Sequence, residues 1–222
     1  MCLTWFFITK EKLLFFHCSS VYVVKHKPIY YVNYEHFTEE IVHLRSEPKE
    51  EKFGPIGKYK TLFITGYLMP EHYLKLGDSL SLYDYAIEIK KLVEKENKWI
   101  EQDYCIWLFG YNKEKGEMEG YHVCYAYNYE PFKIRIPNIE ILSATHEPRI
   151  ILEDIIYDKE FNKESIQKLR DHPFINKRMN EIMDKMLRHA TALFDDINRQ
   201  YPAYVKPLRI GKLDKDGFKY LK

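Results

Sequence analysis

The chain has 222 residues, with 34 Lys and Arg against 33 Asp and Glu, a formal net charge of +1. That length suits one domain, or one domain with a helical appendage, and buries enough surface for a real core. The charge balance argues against a general polyanion binder, which carries a strongly basic excess.

Taken in chain order, Thr4-Trp5-Phe6-Phe7-Ile8 and Leu13-Leu14-Phe15-Phe16 flank the charged turn Lys10-Glu11-Lys12 and read as a hairpin. Val21–Val24 and Ile29–Val32 continue as strands, rich in β-branched and aromatic residues. A short helix is predicted over Glu35–Arg45, with Phe37, Ile41 and Leu44 turned inward. The charged stretch Ser46–Lys60, which holds Gly54-Pro55-Ile56-Gly57, is a loop, and Tyr59–Leu68 a strand. Ser81 stands three residues before Asp84 as a helix start, and Leu82, Tyr85, Ile89, Leu92, Val93, Trp99 and Ile100 recur at helical spacing, giving a helix near 82–102. Cys105–Tyr111 and Tyr121–Tyr129 are strands around the turn Asn112–Gly120. Phe132–Ile136, Ile139–Leu142 and Ile150–Tyr157 are expected as further strands, punctuated by Pro131, Pro137 and Pro148. From about Asn162 to Tyr201 the pattern is helical, interrupted near His172-Pro173 and stopped by Pro202.

The fold class is therefore α+β, mainly antiparallel, with one long internal helix and a helical C-terminal segment. Residues 1–160 form the strand-rich body, and residues 161–222 a helical segment and basic tail packed on the same domain. Pro202–Lys222 carries six basic residues against Asp214 and Asp216, and is expected as a solvated, partly disordered terminus. Its span 206–222 is where a nucleic-acid partner would find purchase.

The aromatic share of 16%, with 19 Tyr and 13 Phe, suits half-buried strands and interfaces. Gln occurs only at 102, 167 and 200 among abundant Lys, Glu, Ile and Tyr, a bias shared by thermophile proteins and by AT-rich coding sequences. Cys2, Cys18, Cys105 and Cys124 form no CxxC pair, which excludes zinc-ribbon and thioredoxin-like arrangements. Cys105 and Cys124 lie on two strands of one hairpin and can approach each other, but reduced core cysteines are expected in an intracellular chain. No apolar run reaches membrane-helix length, and no basic residue precedes the first apolar stretch. The cytoplasm is the expected location, with no membrane partner.

Four constellations carry candidate chemistry. Asp78 stands ten residues before Ile87-Glu88-Ile89-Lys90. Read as strands, this stretch resembles the metal site of the PD-(D/E)XK nuclease superfamily. The resemblance implies Asp78 and Glu88 as Mg²⁺ ligands, Lys90 as the residue that positions the attacking water, and Glu39 or Glu40 as an upstream acid. Gly77 replaces the Pro of the motif. Read as a helix, Glu88 and Lys90 sit about 200° apart and cannot share a metal; the longer helical periodicity favours this conformation.

His36, Glu39, Glu40 and His43 would share one face of the predicted helix at 35–45, with Glu40-x-x-His43 spaced as in carboxylate-bridged di-metal bundles. The only other match, Glu119-x-x-His122, falls in a hairpin, so a solvated face is the simpler expectation. Gly54-x-x-Gly57-Lys58 lacks the spacing and hydroxyl of a P-loop, and Asp214-Lys215-Asp216-Gly217 is a turn rather than a calcium loop. Finally, Ile175, Met179, Ile182, Met183, Met186, Ala190, Leu193 and Ile197 form an apolar stripe. It packs against the sheet or, through its adaptable methionines, meets a partner or a second copy.

The sequence thus favours a protein-interaction or self-associating module that needs no cofactor. Met179, Ile182, Met183, Met186 and Leu193 are its candidate surface, with a protein partner or homo-oligomer implied. The alternative is a Mg²⁺-dependent nuclease acting on DNA.

Overall fold

The computed structural model describes residues 3–18, 23–31, 34–42, 53–65, 76, 79–96, 105–142, 146–200 and 208–221. The protein is an α+β fold in which two five-stranded antiparallel sheets stack face to face with helices on both outer faces.

The first sheet grows from the apolar N-terminal hairpin, β1 (Thr4–Ile8) and β2 (Lys12–Cys18). All five residues of β1 are buried. A strand apolar on both faces needs cover on both, and it has it. Trp5 and Phe7 face the helical layer, while Phe6 and Ile8 face the second sheet. The second sheet contains β5 (Phe53–Ile56), β6 (Lys60–Thr65), β7 (Cys105–Asn112), β8 (Glu117–Cys124) and β9 (Phe132–Lys133), in that order. Phe63, Trp107, Phe109 and Ile134 meet Phe6, Phe15 and Leu213 in the layer between the sheets. There Phe6 takes edge-on contacts from Phe63, Trp107 and Phe109, with centroids 5.0–5.6 Å away. That is the geometry favoured by ring quadrupoles.

Helix α1 (Leu82–Glu96) covers the outer face of the second sheet through Leu82, Tyr85, Ala86, Ile89 and Val93. Its start is the one the sequence signals. The Ser81 hydroxyl accepts from the Asp84 N–H at 3.1 Å and donates to the Asp84 carboxylate at 2.6 Å. Helices α2 (His146–Ile156), α3 (Lys163–Lys168) and α4 (Pro173–Gln200) cover the first sheet. Asn162 and Ser165 close a capping box at the start of α3, and Pro173 opens α4, where its missing N–H costs nothing. Strands β3 (Val23–Tyr31) and β4 (Tyr34–Val42) form a separate hairpin, paired from Val23↔Val42 to Tyr31↔Tyr34.

Several expected elements differ. Residues 53–56, expected within a loop, are strand β5, paired with β6, and the strand expected over Tyr121–Tyr129 ends at Cys124, followed by a 3₁₀ turn at Tyr125–Tyr127. Residues 34–42 are strand β4, not a helix. Phe37 and Ile41 are four apart, a spacing that satisfies both the helical repeat and the strand repeat of two. Residues 146–156 are helix α2, not a strand. Pro148, Leu152 and Ile156 recur every four residues, all buried, and Pro148 sits in the first turn, where a helix accepts it. The basic tail is not a loose terminus: β11 (Leu208–Asp214) and β12 (Gly217–Tyr220) form a hairpin, and β11 pairs with β2 inside the first sheet. Leu208, Ile210 and Leu213 are buried, and one ladder fixes them, so the chain end completes the sheet that the chain start begins. The Asp214–Gly217 turn is as expected, with the Asp214 carboxylate accepting from the Asp216 N–H at 2.9 Å.

One connection joins β9 to β10 (Asn138–Leu142), an edge strand of the first sheet. Both β9 and β10 are edge strands, and the segment between them, with a cis Ile136–Pro137 bond, crosses from one sheet to the other. Among the described residues no helix is long and apolar enough to cross a membrane.

Candidate functional site

The sequence-derived candidates separate in the fold. Glu88 and Lys90 both lie on α1, a helix, so they point about 200° apart. Glu88 pairs with Lys91 at 2.6 Å, whereas Lys90 pairs with Glu130 and reaches Glu94 at 3.8 Å. Glu130 and Glu94 hold the Lys90 ammonium above its usual pKa. Asp78 lies outside the described residues. The Glu39, Glu40 and His36 set falls on strand β4, where an i, i+3 metal spacing has no meaning, and His43 lies outside the described residues. On α4, Met179, Ile182, Met183 and Met186 are buried against the first sheet, with Leu193 packed partly buried beside them. The stripe is core within one chain. Of the basic tail, Arg209, Lys212, Lys215 and Lys219 sit on or between β11 and β12, and Lys212 pairs with Asp214.

A different group of side chains converges at the β9–β10 edge. In the β7–β8 ladder Cys105 stands opposite Cys124 and Trp107 opposite His122. Residues two apart on a strand share a face, so all four line the side of the second sheet that looks toward the first. Cys105 and Cys124 are joined as a disulfide across the ladder, with Cα atoms 4.2 Å apart. This replaces the reduced pair expected from the sequence: the register brings the two thiols together at adjacent backbones.

The His122 imidazole stacks on Trp107 with centroids 3.9 Å apart and planes within 16°. Tyr127 stands edge-on to His122 at 6.2 Å, and Phe132 stacks on Tyr127 at 5.6 Å. This aromatic row runs from the core to the surface, where Tyr127 and Phe132 are 52% and 50% exposed. It forms one wall of a cleft of about 480 Å³. Asn138 and Glu140 of β10 and Ile166, Gln167 and Arg170 of the α3 region form the other, with Arg135 at the rim. A second depression shares Phe132, Ile134, Arg135 and Arg170 and extends the groove toward Lys10.

The backbone around the cleft is held in costly conformations. Asn128 and Tyr129 both adopt positive φ, 51° and 57°. A non-glycine residue there costs about 1–2 kcal/mol. The turn is held by bonds from the Tyr129 N–H to the Cys124 carbonyl at 2.9 Å and from the Glu130 N–H to the Tyr127 carbonyl at 3.0 Å. Its effect is to bury Tyr129 under α1 while leaving Tyr127 in the cleft.

Electrostatically the cleft is uneven. Burial pushes the His122 pKa down to about 4, so the ring is neutral at physiological pH. The His122 Nε2 and the Trp107 indole N–H are buried and have no hydrogen-bond partner among the described residues. Buried polar atoms are rarely left unpaired, because each costs about 1–3 kcal/mol. Among the described residues neither Arg135 nor Arg170 meets a carboxylate within ion-pair distance; Arg170 donates only to the Gln167 carbonyl, at 3.4 Å. Among the described residues lining the cleft Glu140 is the one carboxylate, and Asn138 donates to it at 3.4 Å. Aromatic faces, unpaired ring nitrogens and two guanidinium groups suit a planar ligand carrying negative charge.

The sequence foreshadowed the facing cysteines but not this site. The hairpin register that pairs 105 with 124 also pairs 107 with 122, so His122 and Trp107 were within reach of that inference. The second wall, from β10 and α3, depends on contacts remote in sequence. No protein-family model matches the chain, and no curated protein matches it either.

Proposed function

We propose that the protein is a binding module whose site is the β9–β10 cleft, and that it takes a nucleotide-like ligand: a planar base with an attached phosphate. The observation that carries this is the row Trp107–His122–Tyr127–Phe132 ending at Arg135 and Arg170. A base slides against exposed ring faces, which contributes about 1–3 kcal/mol per stacked base. The two guanidinium groups meet the phosphate, which arginine recognises through paired donors. The cleft's volume falls within the range of small-molecule sites. This proposal takes the place of the protein-interaction or self-associating surface expected on the α4 stripe, whose residues pack against the first sheet.

The test is a titration of the full chain with a series of nucleoside monophosphates and the matching nucleosides, followed by tryptophan fluorescence and calorimetry. Stacking beside Trp107 should quench its emission. Nucleotides should bind at least tenfold tighter than nucleosides, and Tyr127→Ala and Phe132→Ala should each weaken binding by roughly five- to a hundredfold. Both rings are half exposed, so their loss should spare the fold. Equal binding of nucleoside and nucleotide, or no saturable binding at millimolar ligand, would overturn the proposal.

A further inference from the structure

Beside the cleft lies a second chemical group, which shares His122 with the aromatic row and adds the two cysteines that base recognition does not use. The ligand atoms of Cys105, Cys124 and His122 all lie within 4.8 Å of one another, Cys124 buried and the other two half-buried. We propose that, once the cross-strand disulfide is reduced, these three residues form a binding site for a thiophilic divalent cation of the Zn²⁺ class, and that oxidation closes it.

The chemistry of the set favours this cation. Two thiolates and an imidazole are soft and borderline ligands that suit zinc, whereas magnesium and calcium demand oxygen. Two thiolates cancel the charge of one Zn²⁺, which removes most of the cost of holding the ion in a half-buried place. Tetrahedral zinc with Zn–S near 2.3 Å and Zn–N near 2.0 Å puts its ligand atoms roughly 3.5–3.8 Å apart. The three ligand atoms lie within 4.8 Å of one another on backbones fixed by the β7–β8 ladder, and on reduction the two sulfurs part toward that separation. The buried Nε2 of His122 has no hydrogen-bond partner among the described residues, so no such protein group competes for that nitrogen. Three protein ligands leave a fourth position for water or for a group reaching in from the cleft that His122 lines.

The switch balances as follows. A dithiol reductant gives two electrons and two protons to the disulfide and itself becomes a disulfide, leaving Cys105 and Cys124 as thiols. Zn²⁺ binding then displaces two protons, forming two sulfur–metal bonds and one nitrogen–metal bond. In the reverse direction hydrogen peroxide accepts two electrons from the thiolates. It takes up two protons to give two waters, the sulfur–sulfur bond forms, and the metal leaves.

The experiment uses the full chain, reduced with a phosphine that does not bind zinc, then titrated with Zn²⁺ against a chromogenic chelator and separately with Co²⁺. One equivalent should bind, and Co²⁺ should show thiolate charge-transfer absorption with tetrahedral visible bands. The oxidised protein should bind at least a hundredfold more weakly. It needs no substitution and so tests the idea even if variants fold poorly. His122→Gln, which leaves both sulfurs in place, should weaken the reduced form about tenfold or more. Equal affinity in oxidised and reduced protein, a cobalt spectrum without thiolate bands, or stoichiometric binding unchanged in Cys105→Ser/Cys124→Ser would each overturn the proposal.

Discussion

Gly211 sits in the middle of β11, directly opposite Phe15 of β2, and the Phe15 ring lies across the space a side chain would take. A Cβ placed there would stand 2.0 Å from Phe15 Cζ and 2.5 and 2.7 Å from its Cε atoms. Carbon atoms rest about 3.5–4.0 Å apart, so the ring must retreat by roughly 1.5 Å. It has little room to do so. Phe15 is 4% exposed and stacks on Phe218 at 5.8 Å in the layer between the sheets. Overpacking of this kind costs about 1–3 kcal/mol, near the upper end here because the clash is deep. Against it stands the lower unfolded-state entropy of alanine, which returns about 0.4–1 kcal/mol. Gly211→Ala should therefore destabilise by about 2 kcal/mol, which for a chain of this size lowers Tm by about 4–8 °C. Urea unfolding followed by circular dichroism reads the change. Phe15→Leu should be less destabilising in the Gly211→Ala background than alone, a coupling of about 1–2 kcal/mol in the double-mutant cycle. If Gly211→Ala is neutral or stabilising, or the two substitutions add, β11 does not lie against β2 in this register.

Met186 is 2% exposed beneath the first sheet, whereas Leu187 next to it is 40% exposed. Met186→Asp should unfold the chain, at a cost above about 4 kcal/mol, whereas Leu187→Asp should change stability by less than about 0.5 kcal/mol. Sedimentation of a folded but dissociated Met186→Asp protein would contradict the core assignment. For the metal-free protein, His122 titrates near 6.5 when unfolded and near 4 when folded. The unfolded state therefore binds the proton first, and stability present above pH 6.5 is lost as pH falls toward 4. After discounting for partial exposure the loss is about 2 kcal/mol. A His122→Gln variant should flatten that window in urea midpoints measured against pH. An unchanged profile would show that the ring is not desolvated.

The parts of this fold legible in the sequence are those whose signals are local. The β1–β2 hairpin announces itself by two apolar runs around Lys10-Glu11-Lys12, and α1 by the Ser81–Asp84 cap ahead of a long helical repeat. The break before α4 follows from Pro173. Where the local signal is degenerate, reasoning fails. Phe37 and Ile41 fit either period, and the isoleucines of 150–156 look β-branched enough for a strand until Pro148, Leu152 and Ile156 are seen to share one buried line. The tail fails for another reason. Leu208, Ile210 and Leu213 are few apolar residues among cations, and only the partner strand β2, about two hundred residues earlier in the chain, gives them a core to enter. The cleft is illegible on the same grounds. Its walls come from β7, β8, β9, β10 and α3, and no short motif spans them.

Several departures from ordinary folding economy meet at the cleft, though Trp5, Tyr157 and Asn180 also bury polar atoms that have no hydrogen-bond partner among the described residues. Between Cys105 and Pro137 lie two successive non-glycine residues at positive φ, two buried ring nitrogens without a hydrogen-bond partner among the described residues, and a pair of half-exposed stacked rings. Between the sheets, by contrast, Phe6, Phe63 and Phe109 pack into a closed layer. Each departure costs of order 1–3 kcal/mol, a large part of a domain's net stability of about 5–15 kcal/mol. Such costs persist only where the surrounding structure enforces them, and they cluster at sites that bind or react. The register that stacks His122 on Trp107 is also the register that places Cys105 against Cys124. One hairpin thus sets both the aromatic wall and the sulfur–imidazole cluster. A shift of a single residue in that ladder would turn every one of these side chains to the opposite face and abolish both sites together.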